Sequence, residues 1–502
     1  MHTTRYAALL GILAAALSAS ANDHVLVIGG GPTPASSQLS IERNVVYLRQ
    51  VLQNLGRTDI RPEVLFASGP EAVPDVCVDQ SATLPQSIKL LTDIFGETRG
   101  INLGYRCHDI GDVNGPADRP TIFQSLERYA KELKKGDRLL IYVTGHGGKG
   151  NPSTNGLLHT WKDGEMRVRD FVQTLDSFSP DVEVVVVMVQ CYSGTFANLI
   201  FNAGDPDKGL TNHRRAGFFA TVDSRPAAGC TPDTKVEDYR EYSTSFFAAL
   251  TGKSRGGEAV KADDIDGDGH ISMAEAHAFT VLNSPTIDIC YRTSDRFLEK
   301  EARLDSKDEK LMSTGAPLAK LIETADPVRR HVIEKLSADL KLGAETPIAD
   351  AEKLAKQISE DRRRTKALIT SIDNNASGAA KKIKETLFIR WPFLQNAWHP
   401  DTHSLLTKDS DSVVKFIEGQ SGFAAWKRMM DRAKSLRTQD LEKERKWAKT
   451  QRFILTAKSI VRAENLRREA APEVAKRYDE ILQIENSQFA SFPTSAVAPV
   501  AN

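Results

Sequence analysis

Between residues 24 and 301, continuous runs of valine, leucine and isoleucine alternate with stretches of helical periodicity. Three of the apolar runs, 24–29, 139–143 and 182–189, are short and end at glycine or polar residues, as buried strands do. The intervening stretches 41–55 and 121–133 carry apolar residues at helical spacing. Strands that are apolar on both faces, with helices between them, predict an α/β fold whose mostly parallel sheet is flanked by helices.

The sequence changes character after residue 305. Lysine, arginine and glutamate dominate 306–490, and apolar residues return at helical spacing, with Trp447, Ile454 and Val461 each seven residues apart. We therefore expect an α/β domain over 22–305, followed by a helical C-terminal region over 306–490 that forms a bundle or an antiparallel hairpin. The last residues, 491–502, are small and proline-containing, as in a flexible tail.

The first 21 residues have the pattern of a secretory signal peptide. Arg5 precedes an alanine-rich apolar run over 7–17, and the small residues 19–21 suit a signal peptidase. That run is too short to span a bilayer, and no later stretch is apolar enough to do so. We expect export to a periplasm or to the outside of the cell. Lysine plus arginine and aspartate plus glutamate each number 66, and this balance argues against a protein built mainly to bind nucleic acid.

Two predicted strands are followed directly by residues that can carry chemistry. His146 lies just beyond the strand 139–143, in the sequence TGHGG, and Cys191 lies just beyond the strand 182–189, in the sequence QCYSG. Because the carboxyl ends of parallel strands meet at one edge of a sheet, we expect the imidazole and the thiol to share a cleft there. An imidazole beside a thiol can take its proton and generate the nucleophilic thiolate.

The residues around this pair suit acyl transfer. The backbone N–H groups of Gly147 and Cys191 are candidates for an oxyanion hole. A helix predicted to begin at 193–195 would place its positive end near the sulfur and favour the thiolate. The competing interpretation is a small core cysteine and an unrelated structural histidine.

These motifs resemble the caspase-like clan of cysteine peptidases, which includes caspases, metacaspases, legumains and gingipains. The likeness covers 23–301 and is nearest to bacterial caspase-like and legumain-like proteins with a signal peptide. It implies a caspase–hemoglobinase fold, cleavage of a protein or peptide substrate through an acyl-thioester on Cys191 with His146 as general base, and no catalytic metal.

The resemblance also implies where the substrate side chain binds. The clan uses the position two residues before the nucleophile, which is typically acidic in metacaspases and legumains and is Val189 here. It also uses part of the strand that follows, which points to Asp223, Ser224 and Arg225. Asp223 would receive a basic side chain and Arg225 an acidic one; the alternative is that either is an ordinary loop charge, so the substrate preference stays open.

The chain has five cysteines, and in an oxidising compartment an even number would pair. We expect Cys191 to be free, with Cys77 bonded to Cys107 and Cys230 bonded to Cys290. The other two pairings of those four residues, and a fully reduced chain, remain alternatives.

The segment 264–275, DIDGDGHISMAE, fits the calcium-loop pattern of EF-hand proteins. The ligands that this pattern predicts are oxygens of Asp264, Asp266, Asp268, His270, Ser272 and Glu275. Because the preceding segment 252–257 is not helical, we expect a calcium loop with only the exiting helix, 273–282, and a structural role for the ion. An acidic turn that caps this helix is the alternative.

Three functions are compatible with these features. The first is an exported, calcium-binding cysteine endopeptidase. The second is a catalytically silent scaffold that keeps the caspase-like fold and a structural calcium site, and binds a protein partner through the C-terminal helices. The third is a transpeptidase or ligase that uses the same thioester.

Overall fold

The computed structural model describes residues 22–98, 100–230, 239–304 and 308–489. The predicted signal peptide, 1–21, and the predicted tail, 491–502, lie outside these ranges.

The chain forms an α/β structure with ten strands in the described residues. These are β1 (Asp23–Gly30), β2 (Glu63–Phe66), β3 (Val76–Asp79), β4 (Leu103–Arg106), β5 (Arg138–Gly148), β6 (Leu157–Thr160), β7 (Gly164–Arg167), β8 (Glu183–Met188), β9 (Arg215–Phe219) and β10 (Tyr291–Arg292). Strands β3 and β4 pair with each other, and the other eight form one sheet in the order β10-β9-β8-β5-β1-β2, with the β6–β7 hairpin attached to β5.

The main sheet is mostly parallel, as the sequence predicts. The pairs β1–β2, β1–β5, β5–β8 and β8–β9 are all parallel, and β10 is antiparallel to β9. The flanking helices are α1 (Leu39–Asn54), α2 (Gln86–Phe95), α3 (Arg119–Glu132), α4 (Val168–Leu175), α5 (Tyr242–Thr251), α6 (Met273–Asn283) and α7 (Thr293–Glu301).

Both faces of the sheet are buried, which explains the uninterrupted apolar runs. Side chains of one face, such as Tyr142 and Val187, pack against α1, α5 and α6. Side chains of the other face, such as Ile141 and Val186, pack against α3 and α4. Each fully buried large apolar side chain contributes roughly 1.5–3 kcal/mol to folding.

Local differences from the predicted elements have identifiable causes. Helix α4 begins only at Val168, because 164–167 form the second strand of the β6–β7 hairpin. The helix expected after Cys191 is a 3₁₀-helix over Ser193–Ile200, which follows Tyr192 in the left-handed region at φ 59°.

The C-terminal region is helical, as predicted. Its helices are α8 (Leu318–Thr324), α9 (Pro327–Leu340), α10 (Pro347–Arg390), α11 (Pro400–Lys408), α12 (Ser410–Glu418), α13 (Phe423–Glu469) and α14 (Pro472–Glu485). Helices α10 and α13 are antiparallel, since ion pairs join Glu352 to Lys458 near one end of the pair and Asp373 to Arg437 further along it. The 47 residues of α13 give it a length of about 70 Å.

The C-terminal helices do not have a core of their own at the end nearest the sheet. Phe453 and Ile460 of α13 belong to the apolar cluster of one sheet face. Leu466 of α13 and Ile481 of α14 belong to the cluster of the other face. The boundary predicted at residue 305 therefore separates two patterns of secondary structure but not two hydrophobic cores.

The far end of the long helix pair is also attached to the α/β part. Ile383 and Leu387 of α10 and Trp426 of α13 form one cluster with Leu90 and Ile94 of α2. The helix pair is thus held to the α/β part at both ends. No helix among the described residues combines the length and the apolar character needed to cross a bilayer.

Candidate functional site

Strands β5 and β8 bring the two candidate catalytic residues to one edge of the sheet. The strands are parallel neighbours, with Val143 opposite Met188, so His146 and Cys191 each lie three residues beyond a matched pair. A Cβ atom added to Gly147 would lie 2.1 Å from the carbonyl oxygen of Cys191. This approach leaves no room for a side chain at residue 147, and it fixes the two segments against each other.

The hydrogen bonds of His146 define which of its ring nitrogens is basic. Nε2 lies 2.8 Å from the carbonyl oxygen of Ser36 and 2.8 Å from Oε1 of Gln38. A carbonyl oxygen only accepts, so Nε2 carries the proton and Nδ1 keeps the lone pair. Nδ1 has no hydrogen-bond partner in the described part of the chain, which leaves it free to accept a proton.

Burial lowers the pKa of this imidazole and so favours its neutral form. Burial lowers the pKa of His146 below its usual 6.5, the nearby ring of His159 lowers it further, and the carbonyl of Ser36 partly opposes this by stabilising the protonated ring. The consequence is a ring that is unprotonated at neutral pH, as a general base requires.

The thiol of Cys191 is held by the backbone of Ala227. The sulfur accepts the Ala227 N–H at 3.3 Å and donates towards the Ala227 carbonyl at 3.8 Å. Burial raises the pKa of the Cys191 thiol, the Ala227 backbone lowers it, and the charge of Asp288 raises it further. The net shift is upward, which favours the thiol form, and the expectation that a helix terminus favours the thiolate stays a prediction.

The two groups lie at the same edge of the sheet without a direct bond. No hydrogen bond joins the His146 ring to the Cys191 sulfur among the described residues. The backbone N–H of Cys191 has no acceptor in those residues either, so it is available to an oxyanion. Catalytic hydrogen bonds are often long in a ligand-free site and shorten when substrate binds.

The predicted substrate-pocket residues have different locations. Val189 is 5% exposed and packs in the apolar core on the α1 side of the sheet. Asp223 and Ser224 are exposed on the loop after β9. Arg225 lies on the same loop, but it donates to Glu444 at 3.0 Å and its guanidinium stacks on the Trp447 ring at 4.5 Å. Arg225 thus connects the loop to helix α13 through Nη2, and its Nε has no partner in the described residues.

All five cysteines are free thiols, so the predicted disulfides are wrong for this structure. Cys77 is opposite Tyr105 in the β3–β4 pair, and its sulfur faces the Ala35 carbonyl at 3.3 Å, whereas Cys107 is exposed. Cys290 is buried in the core. The sulfur of Cys230 lies instead at the candidate site, 3.5 Å from the carbonyl oxygen of Gly145.

Sequence reasoning missed a buried carboxyl beneath the site. Asp288 is fully buried, accepts the Ala228 N–H at 2.6 Å through Oδ1, and leaves Oδ2 without a partner in the described residues. Burial raises the pKa of Asp288 to about 6. The only sequence signal was a lone aspartate in an otherwise apolar and hydroxylated segment, which is not distinctive.

The acidic loop brings three of its predicted ligands together. Carboxylate oxygens of Asp264, Asp266 and Asp268 lie within 4.8 Å of one another, a spread that suits an ion with metal–oxygen distances of about 2.3–2.6 Å. Asp264 also accepts the N–H groups of Gly267 and Gly269, at 2.7 and 2.9 Å, which shapes the turn.

Glu275, the sixth predicted ligand, has a different set of partners. Its Oε1 accepts the N–H of Ile265 at 2.6 Å, and its Oε2 accepts the N–H and hydroxyl of Ser272 at 2.8 and 2.9 Å. This arrangement caps α6 at its first turn. His270 is exposed. The loop therefore combines three convergent carboxylates with the helix cap that was the alternative interpretation.

Comparison with known proteins adds little to this geometry. No model of a protein family matches the chain, and no curated protein matches its sequence. Among solved structures, the chain is similar to a crystal structure of a protein from Geobacter sulfurreducens, with 12% identity and a TM-score of 0.30 over 52% of this chain and 88% of that one. The site must therefore be interpreted from its own chemistry.

Proposed function

We propose that the chain is an exported cysteine endopeptidase of the caspase–legumain type. The observation that carries the proposal is the parallel register of β5 and β8. Because of it, the unprotonated imidazole of His146 and the free thiol of Cys191 follow the ends of neighbouring strands at one edge of the sheet. The resemblance of the HG and QCYSG motifs to that clan supports the same function.

The proposed reaction uses His146 first as a base and then as an acid, and Cys191 as the nucleophile. His146 accepts the Cys191 proton through Nδ1 as the sulfur attacks the substrate carbonyl carbon, and charge builds on the carbonyl oxygen. The Cys191 N–H, and the Gly147 N–H predicted from the sequence, would stabilise that charge. The imidazolium then protonates the leaving amine, and water releases the acyl group from the thioester.

The direct test is incubation of the mature protein with a positional peptide library, with and without calcium. The proposal requires cleavage that depends on Cys191. If no peptide is cleaved and binding partners are still retained, the catalytically silent scaffold is favoured. Formation of new amide bonds from added amines would indicate the transpeptidase.

The Gln38→Glu variant tests the role assigned to His146. A carboxylate at 2.8 Å from Nε2 stabilises the imidazolium and raises the pKa of His146. Because hydrolysis needs the neutral ring, the acid limb of the kcat/KM profile is expected to move to higher pH. The Gln38→Met variant, which has similar size and no charge, is the control. An acid limb at the same pH in the Glu and Met variants contradicts the assignment of His146 as the base.

We also propose that the acidic loop binds a structural calcium ion. The three convergent carboxylates fit a calcium site. Glu275 would complete the ligand set only by exchanging its backbone partners for the ion.

Calcium is expected to raise the thermal unfolding temperature of the mature protein. A ligand at 100 times its Kd stabilises the folded state by about 2.7 kcal/mol. The Asp264→Asn/Asp268→Asn double variant should lose this shift, and Asp411→Asn, which alters an exposed acid elsewhere, should retain it. An equal calcium response in both variants would exclude this loop as the site.

A further inference from the structure

A cavity lined by residues of α5 and of the segments on either side of it contains a buried cation whose hydrogen-bonding capacity is not filled. The cavity has a volume of about 320 Å³ and is lined in part by Tyr239, Glu241, Thr244, Ser254, Arg255 and Ser284. The side chain of Arg255 is 7% exposed.

Neighbouring side chains hold Arg255 in place, but only one nitrogen of its guanidinium donates hydrogen bonds in the described residues. Nη2 donates to Asn44 Oδ1 at 2.6 Å and to Thr244 Oγ1 at 3.1 Å. The guanidinium also lies over the ring of Tyr47, 4.6 Å from its centroid. Nε and Nη1 have no partner among the described residues. Buried charged donors without an acceptor are costly, and the two free donors of Arg255 are available to an anionic or polar group that enters the cavity.

The neighbouring carboxyl does not fill this role. Oε1 of Glu241 is 3.5 Å from Nη2 of Arg255, the nitrogen that is already used. Glu241 also accepts the hydroxyls of Ser243 and Thr244, and burial raises its pKa and so opposes its ionisation.

The other charged groups of the cavity lie at its exposed rim. They are Arg240 and Glu258, and the Glu258 carboxylate is bonded to Ser254. Arg255 is therefore the buried permanent charge of this cavity.

The cavity is connected to the candidate catalytic residues on two sides. Asn44, whose Oδ1 accepts the hydrogen bond from Arg255, donates to Thr144 Oγ1 at 2.9 Å. Thr144 is two residues before His146 on β5. A Cβ atom added to Gly229 would lie 3.4 Å from the Cβ of Glu241. Ala227, two residues before Gly229, donates its N–H to the Cys191 sulfur.

We propose that this cavity receives the substrate side chain next to the cleaved bond, and that Arg255 selects an aspartate or a glutamate there. The inference rests on the proposed peptidase function and names its substrate class. The two remaining donors of Arg255 would make charge-assisted hydrogen bonds to the side-chain carboxylate. This assigns acid recognition to Arg255 rather than to Arg225, which helix α13 engages.

The test compares matched substrates in the mature protein and its variants. Peptides that differ only in aspartate, asparagine, alanine or lysine before the scissile bond are assayed with wild type, Arg255→Gln and Arg255→Lys. Wild type is expected to favour aspartate over asparagine in kcat/KM on the order of 10²-fold. In Arg255→Gln this ratio should fall to about 1 while alanine peptides are still cleaved, and Arg255→Lys should retain part of the preference.

A control separates loss of the subsite from loss of folding. Iodoacetamide has no side chain to fit the cavity, so its rate of reaction with Cys191 should be the same in wild type and Arg255→Gln. A preference for lysine or asparagine in wild type, or an aspartate preference that survives in Arg255→Gln, overturns the subsite and leaves the peptidase function intact.

Absence of cleavage for every peptide overturns the proposed function instead. The subsite is then judged by the thermal stability of the full chain with added acidic or amide peptide. Stabilisation by the acidic peptide alone, lost in Arg255→Gln, supports a carboxylate site. Equal effects of the two peptides overturn it.

Discussion

Replacing Cys191 with alanine is expected to reduce peptide hydrolysis by a factor on the order of 10⁴ or more. The sulfur is the only nucleophile in the proposed reaction, and removal of the nucleophile from comparable hydrolases removes nearly all acceleration except that from binding and the oxyanion hole. Because Cys191 is half-buried and contacts only the Ala227 backbone through hydrogen bonds, the substitution should leave folding nearly unchanged. The measurement is kcat/KM on the best library peptide, with circular dichroism and thermal unfolding of each variant.

The matched control is Cys107→Ala, which removes an exposed thiol far from β5 and β8 in sequence. It should hydrolyse peptides at the wild-type rate. His146→Ala should lose about 10²–10⁴-fold, the usual contribution of a positioned general base. Retention of activity in Cys191→Ala would show that another residue is the nucleophile and would end the peptidase interpretation of this site.

Replacing Arg452 with methionine is expected to lower the free energy of unfolding by about 3–5 kcal/mol, because several buried carbonyl oxygens lose their charged donor. Arg452 is 2% exposed on α13. Its guanidinium donates to the carbonyl oxygens of Val281, Ser284, Thr286 and Asp288 at 2.7–3.2 Å. Each carbonyl left buried without a donor carries a desolvation cost of about 1–3 kcal/mol, partly relieved by relaxation of the loop.

This variant should also affect the site. The loop that Arg452 holds carries Asp288, and Asp288 accepts the Ala228 N–H beside the Ala227 contact of Cys191. Urea unfolding of Arg452→Met should have a lower midpoint, and the rate of peptide hydrolysis should fall with it. Arg428→Met, an exposed arginine on the same helix, should stay within about 0.5 kcal/mol of wild type. Equal midpoints for the two variants would show that α13 does not support this loop.

The sequence was most informative where neighbours along the chain set the structure. The runs 139–143 and 182–189 predict β5 and β8 because only strands buried on both faces need uninterrupted apolar residues. The positions of His146 and Cys191 just beyond those runs follow from the parallel arrangement. The helix after the acidic loop begins at Met273, as predicted, because its first turn is capped by its own residues, Ser272 and Glu275.

The sequence was least informative where distant residues meet. The Ser36 carbonyl on His146 joins residues 110 positions apart, and the Asn44 contact of Arg255 joins residues 211 positions apart. The predicted disulfides failed for the same reason: counting cysteines says nothing about which sulfurs approach each other. The prediction that Arg225 binds an acidic substrate side chain was likewise based only on its position in the chain. In the structure its side chain contacts Glu444 and Trp447, which are more than 200 residues away in sequence.

By itself, the sequence determined the α/β class, the helical C-terminal region and the positions of a thiol and an imidazole just after two strands. Local periodicity and the chemistry of single residues are sufficient to predict these features. Only the tertiary structure decided that burial raises the pKa of the thiol, that Nε2 of His146 faces the Ser36 carbonyl and leaves Nδ1 free, that the C-terminal helices share the sheet's core, and that Arg255 lines a cavity. Protonation states and partners depend on burial and on which distant groups pack together, and neither is encoded in any short segment of the chain.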